Sequence, residues 1–267
     1  MGYTYKDIVE GYANVSVEKG RVVLVKADLR FLGPFETFDK KSILNAHFNA
    51  LAELVDLAEG TIVVSTANES LINTDIPYDP EKTPSEMGVL TEHIRQQEGA
   101  VRSYHAFESY TAIGKHAKFI CGDVARHVYG PETPKARMIE ADALCVTIGL
   151  PPRLSASTQH HIEFLMGVPY RYTKEYIHPV VKRDGSIEFE PFYRYVLYLE
   201  CDIKRNKNVK IFNHFLDSGH TIEKSALGRG HVYSFSMADF AKATIQLFKK
   251  DIYAWVDEIP RVKPYRR

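Results

Sequence analysis

The chain has 267 residues, of which 45% are hydrophobic, 25% charged and 12% aromatic, a composition typical of a folded globular protein rather than of a disordered or fibrous one. Its 34 Lys and Arg residues balance its 34 Asp and Glu residues, so no overall charge favours binding to nucleic acid or to an anionic membrane. The length fits one large domain, residues 1–267, or two interleaved lobes.

Cysteine is scarce: Cys121, Cys145 and Cys201 form no C-x-x-C pair, which disfavours a disulfide framework or a zinc knuckle. The first residues lack the apolar core of a signal peptide, and no apolar run approaches the length needed to cross a bilayer. We therefore expect a cytoplasmic protein with no metal and no membrane contact.

The first third of the chain has the pattern of an α/β unit. Residues 21–25 (RVVLV) and 61–65 (TIVVS) are β-branched runs of the buried-strand type. Between them, residues 42–57 carry apolar side chains at helical spacing and end at Glu59-Gly60, a glycine stop. Strand, helix and strand in this order predict a βαβ unit with parallel strands.

The middle of the chain predicts a loop, a helix and two strands, and the second strand leads into a segment where ligands commonly bind. Residues 73–85, with three prolines, should form a long ordered loop, followed by a helix capped by Ser85 and ending near Gly99. Residues 111–114 predict a short strand, and the apolar residues 143–149 predict a central one. The segment after a central strand of an α/β protein is a common place for ligands.

That segment predicts a helix that Ser155, Ser157 or Thr158 caps and that ends at Met166-Gly167. Residues 170–181 and 186–200 follow as two strands joined by Asp-Gly, a hairpin signal. The C-terminal part predicts a helix at 209–216, a strand at 231–235 and a helix from Ser236. We expect a mixed α/β fold: a central mixed sheet flanked by helices, with an added antiparallel hairpin.

Two residues of the predicted helix, His160 and Glu163, are spaced so that they share one face. Glu163 can accept a hydrogen bond from one imidazole nitrogen and leave the other nitrogen basic, which is the orienting half of a general-base dyad. The alternatives are an exposed helix pair of little consequence and a metal site completed by His105 or His178. The spacing lacks the HExxH pattern, so we expect no metal.

Residues 102–109 (RSYHAFES) concentrate hydroxyls, an imidazole, a guanidinium and a carboxylate. They suit phosphate binding or substrate positioning, and an ordinary polar loop is the alternative. Cys145, in a predicted buried strand, is expected to be a core residue because burial raises a thiol pKa. The sequence has no nucleophile elbow, P-loop or dinucleotide fingerprint, so it does not support those enzyme classes.

Several motifs, in order along nearly the whole chain, resemble those of the antibiotic N-acetyltransferase family, whose best-known members are the aminoglycoside 3-N-acetyltransferases. They are VLVKADL at 23–29 with LGP at 32–34, GTIV at 60–63, PYDP at 77–80 with TPS at 83–85 and MGVL at 87–90, RSYH at 102–105 with Ser109, Gly149, His160-x-x-Glu163 with GVPYR at 167–171, and LGRG at 227–230.

The resemblance implies transfer of an acetyl group from acetyl-CoA, or of another acyl group from its CoA ester, to a primary amine without a covalent enzyme intermediate. It implies His160 as the general base and Glu163 as its partner, with the oxyanion donor among Ser103, His105 and Ser109. The side chains that it implies for the cofactor are Lys26, Asp28, Arg102, Ser103 and Ser109, and those for the acceptor are Asp79, Tyr170 and Arg171. The expected partners are CoA and a small-molecule amine, with a homodimer left open.

Two departures from the family pattern bear on the ligands. The family usually shows His, then Ser or Ala, then Ser after its first strand, where this chain has Lys26-Ala27-Asp28, so Lys26 is expected to meet a CoA phosphate instead. The usual proline after the imidazole of the Arg-Ser-x-His segment is Ala106. An aminosugar such as an aminoglycoside is the expected acceptor; the alternatives are a nucleotide-linked aminosugar and a non-catalytic CoA-binding homologue.

Overall fold

The computed structural model describes residues 2–155, 157–205 and 208–264, and for residues 154 and 155 it describes the backbone alone. Its helices are α1 Tyr5–Ala13, α2 Lys40–Val55, α3 Val89–Arg95, α4 Ala117–Cys121, α5 Pro134–Glu140, α6 Pro152–Ser155, α7 Thr158–Met166, α8 Val209–Asp217 and α9 Met237–Lys250. Its strands are β1 Val22–Ala27, β2 Thr61–Ser65, β3 Val101–Arg102, β4 Tyr110–Gly114, β5 Leu144–Ile148, β6 Arg171–Val181, β7 Ile187–Leu197, β8 Glu223–Leu227 and β9 Gly230–Ser236.

A seven-stranded sheet forms the centre of the molecule, in the order β3-β4-β2-β1-β5-β9-β8. Strand β1 pairs in parallel with β2 and with β5, while β4, β3, β9 and β8 join antiparallel. The predicted βαβ unit and the predicted mixed sheet are therefore confirmed. All five residues of β5 are buried, as its continuous apolar sequence indicates.

Helices cover both faces of this sheet because successive strand residues point to opposite sides. On β1, Val22 and Leu24 pack into one core with α4, α5, α8 and α9. Their neighbours Val23 and Val25 pack into a second core with α1, α2 and α3. The order of layers is therefore helix, sheet, helix, and the edge where β1 and β5 end in parallel remains available for a site.

The predicted hairpin is confirmed as a separate two-stranded sheet of β6 and β7, paired from Arg171 with Leu197 to Val181 with Ile187. It packs through Val180 and Phe192 against Phe107. The long loop at 73–85 is tied to it, because Tyr78 N donates to Pro179 O at 2.9 Å and Val181 N donates to Tyr78 O at 2.9 Å.

Two local predictions were wrong. The helix expected from Ser85 begins at Val89, because Gly88 at φ 119° breaks the helical path, and the Ser85 hydroxyl accepts from Met87 N instead. The segment expected to follow the first strand is partly strand: Lys26 pairs within β1 with Thr147. Helices α1, α4, α5 and α6 and strands β3 and β8 were not predicted.

A glycine is required where β5 ends. Gly149 adopts φ 68°, and a Cβ there would lie 2.3 Å from the carbonyl oxygen of Asp28. Any side chain would separate the chain after β5 from the chain after β1. The close approach brings the loop after β5, and hence α7, to the end of β1.

Candidate active site

Helix α7 brings the His160–Glu163 pair together. Ser157 precedes the first turn, and Gly167 ends the helix in the left-handed conformation at φ 61°. His160 Nδ1 lies 2.5 Å from Oε2 of Glu163. The carboxylate side chain is fully buried, whereas the imidazole is 23% exposed. Because the Nδ1 hydrogen is held by Glu163, the neutral ring presents Nε2 as its basic nitrogen.

The Glu163 carboxylate is itself fixed by the start of the hairpin. Tyr170 Oη donates to Oε1 at 2.7 Å, and Arg171 Nε lies 3.2 Å from Oε2. Arg171 Nη2 also lies 3.2 Å from His160 Nδ1, but a guanidinium cannot accept, so the Nδ1 hydrogen belongs to Glu163. A buried carboxylate needs such partners, and here they hold the imidazole in one tautomer.

Trp255, in the chain after α9, forms one wall of this group. Its ring meets His160 edge-on, with ring centres 5.1 Å apart and planes at 81°, and the Arg171 guanidinium lies 4.7 Å over the indole. The Tyr170 ring stacks on the same indole, with ring centres 6.2 Å apart and planes at 14°. Sequence reasoning missed Trp255, although its being the one tryptophan of the chain was an available signal.

Burial lowers the pKa of His160 below its ordinary value, the hydrogen bond and charge of Glu163 oppose that shift, and Arg171 adds to it. The net direction is downward. At neutral pH the ring is therefore mainly in the unprotonated form, which is the form that a general base needs.

Polar side chains in residues 102–109 form hydrogen bonds with other residues of the chain. Arg102 ties the loop at 66–83 together, donating through Nη1 to Thr83 O at 2.5 Å and through Nη2 to Asn68 Oδ1 at 2.6 Å. Its Nε donates to Ser109 Oγ at 3.0 Å, and Ser103 Oγ accepts from Tyr110 N at 2.8 Å. These contacts support the loop, and the cofactor and oxyanion roles of these side chains stay predictions.

His105 lies among aromatic rings, 5.2 Å from Phe192. Its Nδ1 accepts from the backbone nitrogens of Phe107 and Glu108 at 3.2 and 3.1 Å. The residue is 3% exposed, and burial lowers the pKa of its imidazole to about 3. This environment favours a structural role for His105, and the geometry favours His160 as the base.

The remaining predicted ligands lie at turns. Asp28 accepts from Arg30 N and Arg30 Nε at 3.2 and 2.8 Å, which caps the 3-10 helix Leu29–Leu32. Asp79 accepts from the backbone nitrogens of Glu81 and Lys82 at 2.9 and 3.0 Å. The predicted contacts of Asp28 with the cofactor and of Asp79 with the acceptor remain untested. In the structure, both carboxylates stabilise the turns in which they lie.

Across residues 2–155, 157–205 and 208–264, no group of three or more His, Cys, Asp or Glu side chains is arranged to hold a metal ion. Over the same ranges no helix is long and apolar enough to cross a membrane.

The sequence and the fold are similar to those of known acetyltransferases. Residues 24–249 match the family model for aminoglycoside 3-N-acetyltransferase. Aminoglycoside N(3)-acetyltransferase III of Salmonella sp is 24% identical over 200 residues, covering 70% of each chain. The corresponding enzyme VII of Streptomyces paromomycinus is 32% identical over 120 residues, covering 43% of this chain and 41% of its own.

Two solved structures share the fold. AAC-IIIb with CoASH has a TM-score of 0.78 at 20% identity, covering 97% of this chain and 100% of its own. AAC-VIa bound to sisomicin has a TM-score of 0.77 at 19% identity, covering 94% and 98%. The protein is thus an enzyme of the CoA-dependent N-acyltransferase class. It belongs to the aminoglycoside 3-N-acetyltransferase family, which confirms the resemblance seen in the sequence.

Proposed function

We propose that this enzyme transfers an acetyl group from acetyl-CoA to a primary amine of an aminosugar, with His160 as the general base. The observation that carries the proposal is the 2.5 Å contact between His160 Nδ1 and Glu163 Oε2. It assigns the tautomer and leaves Nε2 on a ring that is 23% exposed. A base must reach the substrate proton, and the partial exposure of this ring supports that role. Its Nε2 lies 3.4 Å from the amide nitrogen of Gln159, a donor that suits an unprotonated Nε2.

The chemistry follows from this arrangement. An acceptor ammonium first loses a proton to His160 Nε2, directly or through water, and the imidazole releases that proton to solvent. The neutral nitrogen then attacks the thioester carbonyl, forming the C–N bond. The second N–H proton passes to His160 Nε2, the C–S bond breaks, and the thiolate sulfur takes that proton from the imidazolium. The Glu163 carboxylate stabilises the transient imidazolium, and the electron-rich face of Trp255 stabilises the adjacent Arg171.

The acceptor residues divide into two groups under this proposal. Tyr170 and Arg171 act through Glu163, because both contact its carboxylate at 2.7 and 3.2 Å, so we propose them as positioning residues. Asp79 lies on the loop at 73–85, which is hydrogen-bonded to β6, and it remains a proposed ligand of the acceptor. An aminosugar is proposed because relatives are named for aminoglycosides and AAC-VIa was solved with sisomicin.

The test is acceptor-dependent release of free CoA. Purified enzyme and acetyl-CoA are combined with a panel of aminoglycosides, simple aminosugars and nucleotide-linked aminosugars, and free thiol is trapped and measured. CoA release that needs an amine, with an N-acetyl product by mass spectrometry, is expected and would exclude the non-catalytic alternative. Failure to bind any acyl-CoA in calorimetry would contradict the proposed function.

A further inference from the structure

Two lysines meet at the start of the helix that carries His160. Lys26 Nζ, from the end of β1, donates to Ser157 Oγ at 3.1 Å. Lys135 Nζ, from the first turn of α5, donates to the same oxygen at 3.2 Å. Lys135 is fully buried and its Nζ lies 5.0 Å over the ring of Tyr110. Elements far apart in sequence therefore place two ammonium groups around one hydroxyl.

The group has more hydrogen-bond donors than acceptors. Each protonated lysine has three donors and no acceptor, while the serine oxygen offers two lone pairs. The hydroxyl of Tyr110 also interacts with Ser157. Burial raises the pKa of this hydroxyl to about 12, and the hydrogen bond with Ser157 opposes that shift. A hydroxyl adds one donor and two lone pairs, so the excess of donors remains. An excess of buried donors is costly unless an acceptor of opposite charge enters.

The two lysines also lack the carboxylates that neutralise nearby arginines. Arg171 pairs with Glu163 at 3.2 Å, and Arg194 pairs with Glu108 at 2.6 Å. Within the described ranges, 2–155, 157–205 and 208–264, no carboxylate forms an ion pair with Lys26 or Lys135. Burial lowers the pKa of Lys135 to about 8, and the charge of Glu108 opposes that shift without a direct ion pair. The amine is therefore still mainly charged at neutral pH, and an anion that bound there would raise its pKa again.

We propose that Lys26, Lys135 and Ser157 form an anion site that holds a phosphate or carboxylate group of the amine acceptor. The proposal rests on the proposed function, since it describes the acceptor of the same reaction. Charge and donor count both support it: an oxyanion supplies the missing acceptors, and a phosphate dianion matches two ammonium groups. Lys26 is only half buried, so it is the more accessible of the two ammonium groups, and Lys135 is the buried one.

The position of the site supports a single acceptor molecule that spans both groups. Ser157 O accepts from His160 N at 3.2 Å, so the serine and the base lie one helical turn apart. Side chains at that separation are about 5–6 Å apart at Cβ, a gap of a few covalent bonds. An acceptor with several ammonium groups would meet repulsion from the lysines, so we expect an acidic aminosugar to be the better substrate.

The experiment compares two acceptors that differ only in one phosphate, glucosamine 6-phosphate and glucosamine, with Lys135→Met and Lys26→Met. Methionine matches lysine in length and removes the charge. Lys118→Met, at an exposed position of α4, removes the same charge elsewhere and serves as the control. For the wild type we expect kcat/KM to be higher with the phosphorylated acceptor. In both site variants that preference should fall about 10- to 100-fold, with the KM for acetyl-CoA unchanged.

Other outcomes would overturn the proposal. An equal fall in kcat with both acceptors would assign the lysines to the transient oxyanion of the thioester. A rise in the KM for acetyl-CoA alone would assign them to a phosphate of CoA, as the sequence suggested for Lys26. Unfolding of the Lys135 variant is not expected, because an apolar residue of similar size is usually tolerated at a buried charge; Lys26→Met gives the same comparison at a half-buried position.

Failure of the proposed function is a separate result. If the wild type acetylates no acceptor, the anion site is tested by titrating inorganic phosphate into the wild type and into Lys135→Met. Phosphate binding that the variant loses would support the site without the reaction. Absence of phosphate binding to the wild type would contradict it.

Discussion

Arg171 Nε lies 3.2 Å from Oε2 of Glu163, the same carboxylate oxygen that lies 2.5 Å from Nδ1 of His160. The anion is thus shared between a permanent cation and an imidazole that gains charge only when it takes a proton. The carboxylate raises the pKa of His160 and the guanidinium lowers it, against the larger lowering by burial. Changes to the two neighbours should therefore move the protonation of His160 in opposite directions.

Glu163→Gln should move the acidic limb of the pH–rate profile to lower pH. The amide removes the negative charge that favours imidazolium, so the pKa of His160 falls further. The maximal rate should fall as well, by less than for loss of the base, because the tautomer is less well held. The measurement is single-turnover acetyl transfer against pH, so that chemistry limits the rate. An acidic limb that stays in place would show that Glu163 does not face the titrating group.

Arg171→Gln should move the same limb to higher pH. Loss of the guanidinium removes a charge that disfavours imidazolium, so the pKa of His160 rises. The variant should keep its affinity for acetyl-CoA if Arg171 acts only through Glu163. A purely structural role would lower the rate at all pH values without moving the limb, which distinguishes the two roles.

His160→Ala should lose about two to four decades in rate while folding and acyl-CoA affinity persist, because a positioned base contributes about that much. The matched comparison is His105→Asn, whose side-chain oxygen can still accept from the turn at Phe107 and Glu108. That variant should lose stability but keep most of its kcat. A near-normal kcat for His160→Ala, together with loss in the His105 variant, would transfer the base to His105.

His47 should make folding sensitive to acid. The residue is fully buried, between Tyr12 Oη at 2.5 Å and Tyr3 Oη at 3.0 Å, and burial lowers the pKa of its imidazole from 6.5 to about 3. Between these two values the unfolded chain binds a proton that the folded chain does not. The contribution is therefore fully present above pH 6.5 and is lost as the pH falls toward 3.

The magnitude follows from the same linkage. Between pH 7 and pH 5 the free energy of unfolding should fall by about 2 kcal/mol on account of His47 alone. His47→Gln should be less stable at pH 7, because the two tyrosines lose a partner, but should show a smaller fall between the two pH values. Urea denaturation at both pH values measures the difference. An equal fall in wild type and variant would mean that His47 has nearly the same pKa in the folded and the unfolded chain.

Much of the fold was readable from local pattern. The apolar runs that became β1, β2 and β5 were identified because continuous β-branched residues suit a buried strand. The Asp184-Gly185 pair marked the hairpin turn because glycine there takes φ 84°. Short elements such as β3, at two residues, and α4, at five, lie below the length at which periodicity is visible.

The sequence by itself determined the pairing of His160 with Glu163, because a helix brings residues three apart to one face whatever surrounds it. It also determined the family, through motifs in a fixed order. Only the tertiary structure decided that Tyr170, Arg171 and Trp255 enclose this pair, and that Lys26 and Lys135 meet at Ser157. These contacts join residues from different elements, and their distances depend on how sheet, hairpin and helices pack, which no local spacing encodes.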